Sequence, residues 1–191
     1  RNYAVIVDTK TLDRIEDKHR SLFDEIVVLD GEWDFSREWE VRNLSPWRRT
    51  VKIDVDILFT DNIDHWWDLL ESRNILFTSI VENYKGKTIT ERFHRRQFDS
   101  NLLPDIYTAF YYFRDCVETA DFFETVKSVS ENWPWFSKNF LTLDTQTPRD
   151  DEIFAVAAKI YGISKCILPE SEVPRIVHMK EILNDLPDEI P

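Results

Sequence analysis

The chain has 191 residues, 42% of them hydrophobic and 14% aromatic, so it can bury the core of one domain and is not a disordered chain. Its 3 glycines, Gly31, Gly86 and Gly162, lie too far apart for a dinucleotide fingerprint or a Walker A loop. A formal net charge of -12 disfavours broad adhesion to phosphate backbones or anionic membranes.

Residues 3–8, Tyr-Ala-Val-Ile-Val-Asp, are a short apolar run and read as a buried strand. Residues 11–23 read as a helix, with Thr11 or Asp13 at its N-cap and Leu12, Ile15, His19, Leu22 and Phe23 near one face. Residues 25–29 are a second apolar run, closed by Asp30-Gly31. The chain thus begins strand, helix, strand, an order that favours a parallel α/β sheet. Residues 32–47 are aromatic and charged, without a clear period. In 50–59, Val51, Ile53, Val55 and Ile57 alternate with Lys52, Asp54 and Asp56, which predicts a strand with one polar edge. Asp61-Asn62 then caps a helix with Ile63, Trp66, Trp67 and Leu70 at helical spacing, and residues 74–80 are another strand. Residues 84–100 are polar and read as a hairpin or mobile loop carrying the basic cluster Arg92, His94, Arg95 and Arg96. Residues 102–113 are an apolar, aromatic strand. Residues 120–132 are a helix with Phe122, Phe123, Val126 and Val129 inward, broken by Trp133-Pro134-Trp135. Residues 151–161 are a helix capped by Asp150 and stopped by Gly162. Residues 166–168 and 175–177 are short strands, and 185–191 an acidic, proline-flanked tail. Cys116 and Cys166, 50 residues apart, exclude a disulfide scaffold and a cysteine-rich zinc site; neither is assigned a role, and a reducing cytoplasm is the expected compartment. No apolar run approaches a membrane span, so no membrane partner is expected.

The strongest chemical signal is Asp54-x-Asp56. In an extended chain the two side chains share one face, roughly 7 Å apart, and repel each other unless water or a cation separates them. Aspartate is depleted in strands, and Mg²⁺ and Mn²⁺ favour carboxylate oxygens. The competing reading is a half-exposed strand with a solvated charged face. The basic cluster could grip phosphate or a nucleic acid, although a solvated loop paired with Glu91 and Asp99 is the simpler reading. Trp66 and Trp67 read as core, with one of the pair a candidate for stacking on a sugar. Trp133 and Trp135, flanking Pro134, could line a lid, but packing is the simpler reading.

The segments Leu44-Ser45-Pro46-Trp47, Thr50-Val51-Lys52-Ile53-Asp54-Val55-Asp56-Ile57-Leu58 and Asn62-Ile63-Asp64 resemble the D-x-D region of GT-A fold glycosyltransferases. With Ile63-Asp64-His65-Trp66-Trp67, Leu103-Pro104-Asp105-Ile106-Tyr107-Thr108-Ala109, Tyr112-Phe113-Arg114 and Ile176-Val177-His178-Met179-Lys180, the chain resembles the glycosyltransferase-like proteins of tailed bacteriophages from residue 3 to about residue 180. The resemblance implies a GT-A-like (nucleotide-diphospho-sugar transferase) α/β fold over 1–184, a mostly parallel sheet flanked by helices. Residues 3–8 look like that fold's second strand, so its first strand is expected to be missing or supplied by another segment.

The resemblance also implies roles. Asp54 and Asp56 would bind Mn²⁺ or Mg²⁺ and the nucleotide-sugar donor, UDP-sugar by prevalence. His178 would be the third metal ligand, and Lys180 would meet the diphosphate. Asp150 and Asp151 match the acidic start of a late helix that contacts donor sugar or acceptor. The expected activity is metal-dependent transfer of a sugar to an acceptor hydroxyl, the His178 pattern leaning to retention of the anomeric configuration. A modified DNA base or a host glycan would suit a phage protein acting in the host cytoplasm. A metal and a lysine would meet negative charge on the departing diphosphate where it develops. The rivals are a sugar nucleotidylyltransferase, disfavoured by the missing glycine-rich loop, and a non-catalytic, degenerate domain that binds a sugar or a partner protein.

Overall fold

A computed structural model describes residues 1–78, 81–83, 93–141, 147–168 and 176–178. Strands β1 (Ala4–Asp8) and β2 (Glu25–Leu29) form where the two apolar runs predict them and pair in parallel, Ala4 opposite Glu25 and Asp8 opposite Leu29. Two helical turns stand between them in place of one helix: α1 (Thr9–Leu12) and α2 (Asp17–Arg20). The Asp8 carboxylate accepts the Thr11 N–H at 2.6 Å, so the first turn starts earlier than Thr11 or Asp13 would start it. The Arg20 guanidinium donates to the carbonyls of Leu12 and Ile15, filling the break with a side chain instead of a helix bond.

Residues 32–47, without a clear period in the sequence, hold a 3₁₀ helix (Phe35–Glu40) and α3 (Val41–Leu44). Next come β3 (Arg49–Ile53), α4 (Trp66–Leu70), β4 (Ile75–Thr78), β5 (Val81–Asn83) and α5 (Phe93–Ser100). A helix therefore occupies the end of the segment expected to be a hairpin or loop. The chain continues through β6 (Tyr107–Arg114), α6 (Val117–Glu131), α7 (Trp133–Phe140), α8 (Asp150–Tyr161), α9 (Ile163–Cys166) and β7 (Ile176–His178). Trp133-Pro134 ends α6 and at once opens α7, since proline in a first helical turn forfeits no hydrogen bond. Gly162, with φ 117°, stops α8 as predicted. Residues 166–168 are not a strand: Cys166 closes α9, and Ile167 makes a single parallel bridge to Phe77.

The sheet corrects the expected fold. Among the described residues the largest sheet has the order β3-β6-β4 and is wholly antiparallel, and the parallel pairings are the two-stranded β1-β2 and β5-β7. This is a small α/β arrangement and not a mostly parallel, GT-A-like sheet. The physical reason is one of insertion. β3, α4 and β4 follow the strand, helix, strand order, and both strands run in one direction, yet they do not pair. The later strand β6, Tyr-Thr-Ala-Phe-Tyr-Tyr-Phe-Arg, lies between them and runs against both.

β6 takes the centre because both its faces are apolar. Tyr111 and Phe113, with Ile75 and Phe77 of β4, look into one core with Phe122, Phe123, Val126 and Val129 of α6 and Ile153 and Phe154 of α8. Phe110 and Tyr112, with Leu76 of β4, look into a second core with Leu70 and Leu168, against which Val51, Ile57, Trp66, Trp67 and Ile176 pack. Strand alternation thus feeds two cores on opposite sides of one sheet. None of the described helices is long and apolar enough to cross a membrane.

Phe154 is fully buried, with ring centroids 5.6 Å from Phe77, 5.7 Å from Tyr111, 6.2 Å from Phe122 and 5.9 Å from Phe123. Phe154→Ala removes the ring on which α8, α6 and the sheet converge, and is expected to cost about 3–5 kcal/mol. Urea unfolding of the variant against the wild type measures it; a loss below about 1 kcal/mol would contradict this packing.

Candidate functional site

The site lies where β3 ends and β6 begins. The Asp54 N–H donates to the Ala109 carbonyl at 2.9 Å, the last rung of the β3-β6 ladder, and the chain then leaves the sheet. The Ile57 N–H turns back onto the Asp54 carbonyl at 3.2 Å, and Val55 is 96% exposed. Asp54 and Asp56 are therefore not successive outward positions of one strand, as the alternation through residue 59 predicted. They lie in a turn at the strand's end, Asp54 half-buried and Asp56 exposed. The predicted cap at Asp61-Asn62 is likewise displaced. Those side chains accept the N–H groups of Asn62 and Asp64, and α4 starts only at Trp66.

One residue before Ala109 on β6, Thr108 receives the start of α8. Its N–H donates to Asp151 Oδ1 at 2.7 Å, and its Oγ1 lies 2.8 Å from both Asp150 Oδ2 and Asp151 Oδ1. Thr108 can reach α8 because the β4-β6 register shifts after Phe77: Phe77 stands opposite Tyr111, but Thr78 stands opposite Tyr107. This irregularity frees the residues between from pairing with β4, as bulges do beside sites. Asp150 and Asp151 occupy the first turn of α8, where the helix's unpaired N–H groups favour negative charge.

Lys52 ties this corner together. Its Nζ lies 2.6 Å from Asp54 Oδ1 and 2.7 Å from Glu38 Oε1, and it donates to the Thr108 carbonyl at 3.0 Å. Glu38, from the 3₁₀ helix, also accepts the Tyr111 hydroxyl at 3.1 Å. Burial drives the Glu38 carboxyl up to about 7, against the pull of Lys52. Burial pulls the Lys52 ammonium the other way, but Glu38 and Asp54 outweigh it and hold its pKa above the usual lysine value. Burial first, then the neighbouring Asp151 charge, raises Asp150. Tyr111, wholly enclosed and facing Glu38, is raised well above an ordinary phenol.

The described chain therefore brings together Asp54, Asp150 and Asp151 of the expected site residues, through adjacent residues of β6. Asp56 stands at the exposed rim. His178 closes β7, whose Ile176 packs on the same core as Ile57, one residue beyond Asp56. The His178 side chain and the whole of Lys180 lie outside the described residues. Among the described residues, no group of three His, Cys, Asp or Glu side chains is placed to hold a metal ion. Trp66 and Trp67 pack edge-on against Phe110 and Tyr112, centroids 5.5 Å and 6.4 Å away, which is a core role. Trp133 is buried and Trp135 exposed. Arg92 and the side chains of His94, Arg95 and Arg96 lie outside the described residues. Cys166 is buried, its thiol pushed by burial up to about 12.

Glu38, Lys52 and Thr108 were not singled out from the sequence. Lys52 carried a signal, as the one cation on the polar edge of an alternating segment that ends in two aspartates. Glu38 carried none, because a 3₁₀ turn leaves no helical or strand period. No protein-family model, curated protein or solved structure matches the chain.

The Glu38 environment fixes a pH dependence. Its folded-state pKa is raised from 4.5 to about 7, so the stability it lends is full below pH 4.5 and is lost as the pH rises towards 7. The loss is on the order of 2–3 kcal/mol. Glu38→Gln keeps the shape and removes the titration. Urea unfolding across this range should show the variant gaining stability relative to wild type as the pH rises; parallel curves for the two proteins would contradict the buried environment.

Proposed function

We propose that the chain is a metal-dependent glycosyltransferase that moves a sugar from a nucleotide-diphosphate donor, by default a UDP-sugar, to an acceptor hydroxyl. The observation that carries the reading is that Asp54 and the Asp150-Asp151 pair, almost a hundred residues apart, bond to consecutive residues of one strand, Ala109 and Thr108. These are the positions that the sequence resemblance assigns to the donor's metal and to its sugar.

The donors would be the hard carboxylate oxygens of Asp54 and Asp56, which suit Mn²⁺ or Mg²⁺, with the borderline imidazole of His178 as third ligand. The turn leaves Asp56 exposed to such a cation. When bound, the cation supplies positive charge against the departing diphosphate. By the sequence resemblance, Lys180 would add a second positive group against the diphosphate. Lys52 does not, because Glu38, Asp54 and the Thr108 carbonyl surround its ammonium; it positions Asp54 instead. Asp151, at the start of α8, accepts hydrogen bonds from sugar hydroxyls.

One observation favours a second reading. Lys52 already sits 2.6 Å from Asp54 Oδ1, so a protein cation balances part of the charge that a metal would meet. A degenerate domain that binds a sugar or a partner protein without turnover would keep such a pair.

Thermal melting with Mn²⁺ and UDP separates the two. At 100 times the dissociation constant a ligand that binds only the folded chain adds about 2.7 kcal/mol, which raises Tm by roughly 5–10 °C. Asp56→Ala and His178→Ala should abolish the shift, and wild-type protein should slowly hydrolyse one member of a nucleotide-sugar panel. No shift at millimolar Mn²⁺ and UDP would contradict the transferase and leave the degenerate domain.

A further inference from the structure

Thr108 has one hydroxyl proton, yet its Oγ1 lies 2.8 Å from a carboxyl oxygen of each of two aspartates. A hydroxyl donates one hydrogen bond, and an ionised carboxylate donates none. If both carboxyls were ionised, one of the two contacts would set a hydroxyl lone pair against a charged oxygen with no hydrogen between them. A proton on one aspartate removes the conflict. That aspartate then donates to Thr108 Oγ1, and Thr108 passes its own proton to the other.

The remaining bonds say which aspartate is which. Asp151 Oδ1 accepts twice, from the Thr108 N–H at 2.7 Å and from the Thr108 hydroxyl, as a carboxylate does. Asp150 makes fewer such contacts, and they leave Oδ2 placed to donate: Oδ1 accepts the Asp151 N–H at 2.9 Å, and Oδ2 lies 2.8 Å from the Thr108 hydroxyl. We propose that Asp150 carries the proton and donates it to Thr108, so that Thr108 and Asp150 are positioning residues that hold Asp151 as the single anion of the pair.

The surroundings agree. Burial and the Asp151 charge both raise Asp150. From the other elements Asp150 meets Lys52 of β3, whose ammonium pulls the other way, Glu38 of the 3₁₀ helix, whose charge it disfavours, and the neutral Tyr111 of β6. The consequence for function rests on the transferase reading: a donor sugar's hydroxyl would meet the charge of Asp151, and Asp150 would orient that charge without touching the sugar.

The proton's position is tested without metal, nucleotide or turnover, so its failure and that of the transferase reading are separate results. The side-chain carboxyl carbons of Asp150 and Asp151 are followed by carbon-13 NMR across pH, assigned with Asp150→Asn and Asp151→Asn. Asp150 should hold its proton to higher pH than Asp151. Thr108→Ser should keep the separation, and Thr108→Val, which has no hydroxyl, should shrink it. Asp150→Asn supplies an N–H donor where the acid supplied an O–H, so its Tm at neutral pH should match wild type. Asp151→Asn loses the charged acceptor and should fall by roughly 5–10 °C. If Asp151 holds its proton to higher pH than Asp150, or if Asp150→Asn melts as low as Asp151→Asn, the assignment is overturned. Should Thr108→Val not fold, the order of the two wild-type titrations decides alone.

Discussion

Strand β6 is the constraint on which the rest of the structure depends. It pairs with β3 on one edge and β4 on the other, and its alternate residues fill the two cores. A strand so enclosed has no freedom to slip, because a shift of one residue would exchange its two apolar faces and break both ladders. Its first residues inherit that rigidity. Thr108 and Ala109 are anchors fixed by the core behind them: Ala109 holds the backbone of Asp54, and Thr108 holds the carboxyls of Asp150 and Asp151. Sites held by regular elements are placed more closely than sites held by loops alone.

The electrostatics follow from this crowding. Glu38 and Asp54 pair with one part-buried lysine, Lys52, whose charge also reaches Asp150, in a chain that is already strongly acidic. Lys52 is shared between two carboxylates, and burial favours the neutral forms of Glu38 and Asp150. Asp56 stands on the exposed side of the same turn, beyond the part-buried Asp54. Removing one partner from such a network costs more than the network contributes as a whole, because the survivor is left buried and unpaired.

The sequence disclosed those elements whose local pattern and burial agree. β1 and β2 are short apolar runs closed by polar turns, α6 presents four apolar residues at helical spacing, and α8 runs from an acidic start to a glycine stop. The direction of the sheet was not legible, because strand order along the chain says nothing of a later strand inserting between two earlier ones. The end of β3 was hidden for a related reason. The alternation of Val51, Ile53, Val55 and Ile57 continues past residue 53, but the last ladder bond to β6 is made at Asp54, and a period of two cannot hold a strand without a neighbour. At the site, Asp54 and the Asp150-Asp151 pair were linked only through a resemblance to known enzymes. Nothing in their spacing shows that both would settle on Thr108 and Ala109.

Asp54, Asp150 and Asp151 come together at one corner at the start of β6, and the proposed function makes that corner a cation site. Paramagnetic broadening by substoichiometric Mn²⁺ in the amide NMR spectrum tests it most directly. The signals of residues 54–57, of Thr108 and Ala109, and of Asp150 and Asp151 should weaken first and together, while those of β2 persist. Broadening that spares residues 54–57, or that spreads evenly over the acidic surface, would contradict the claim.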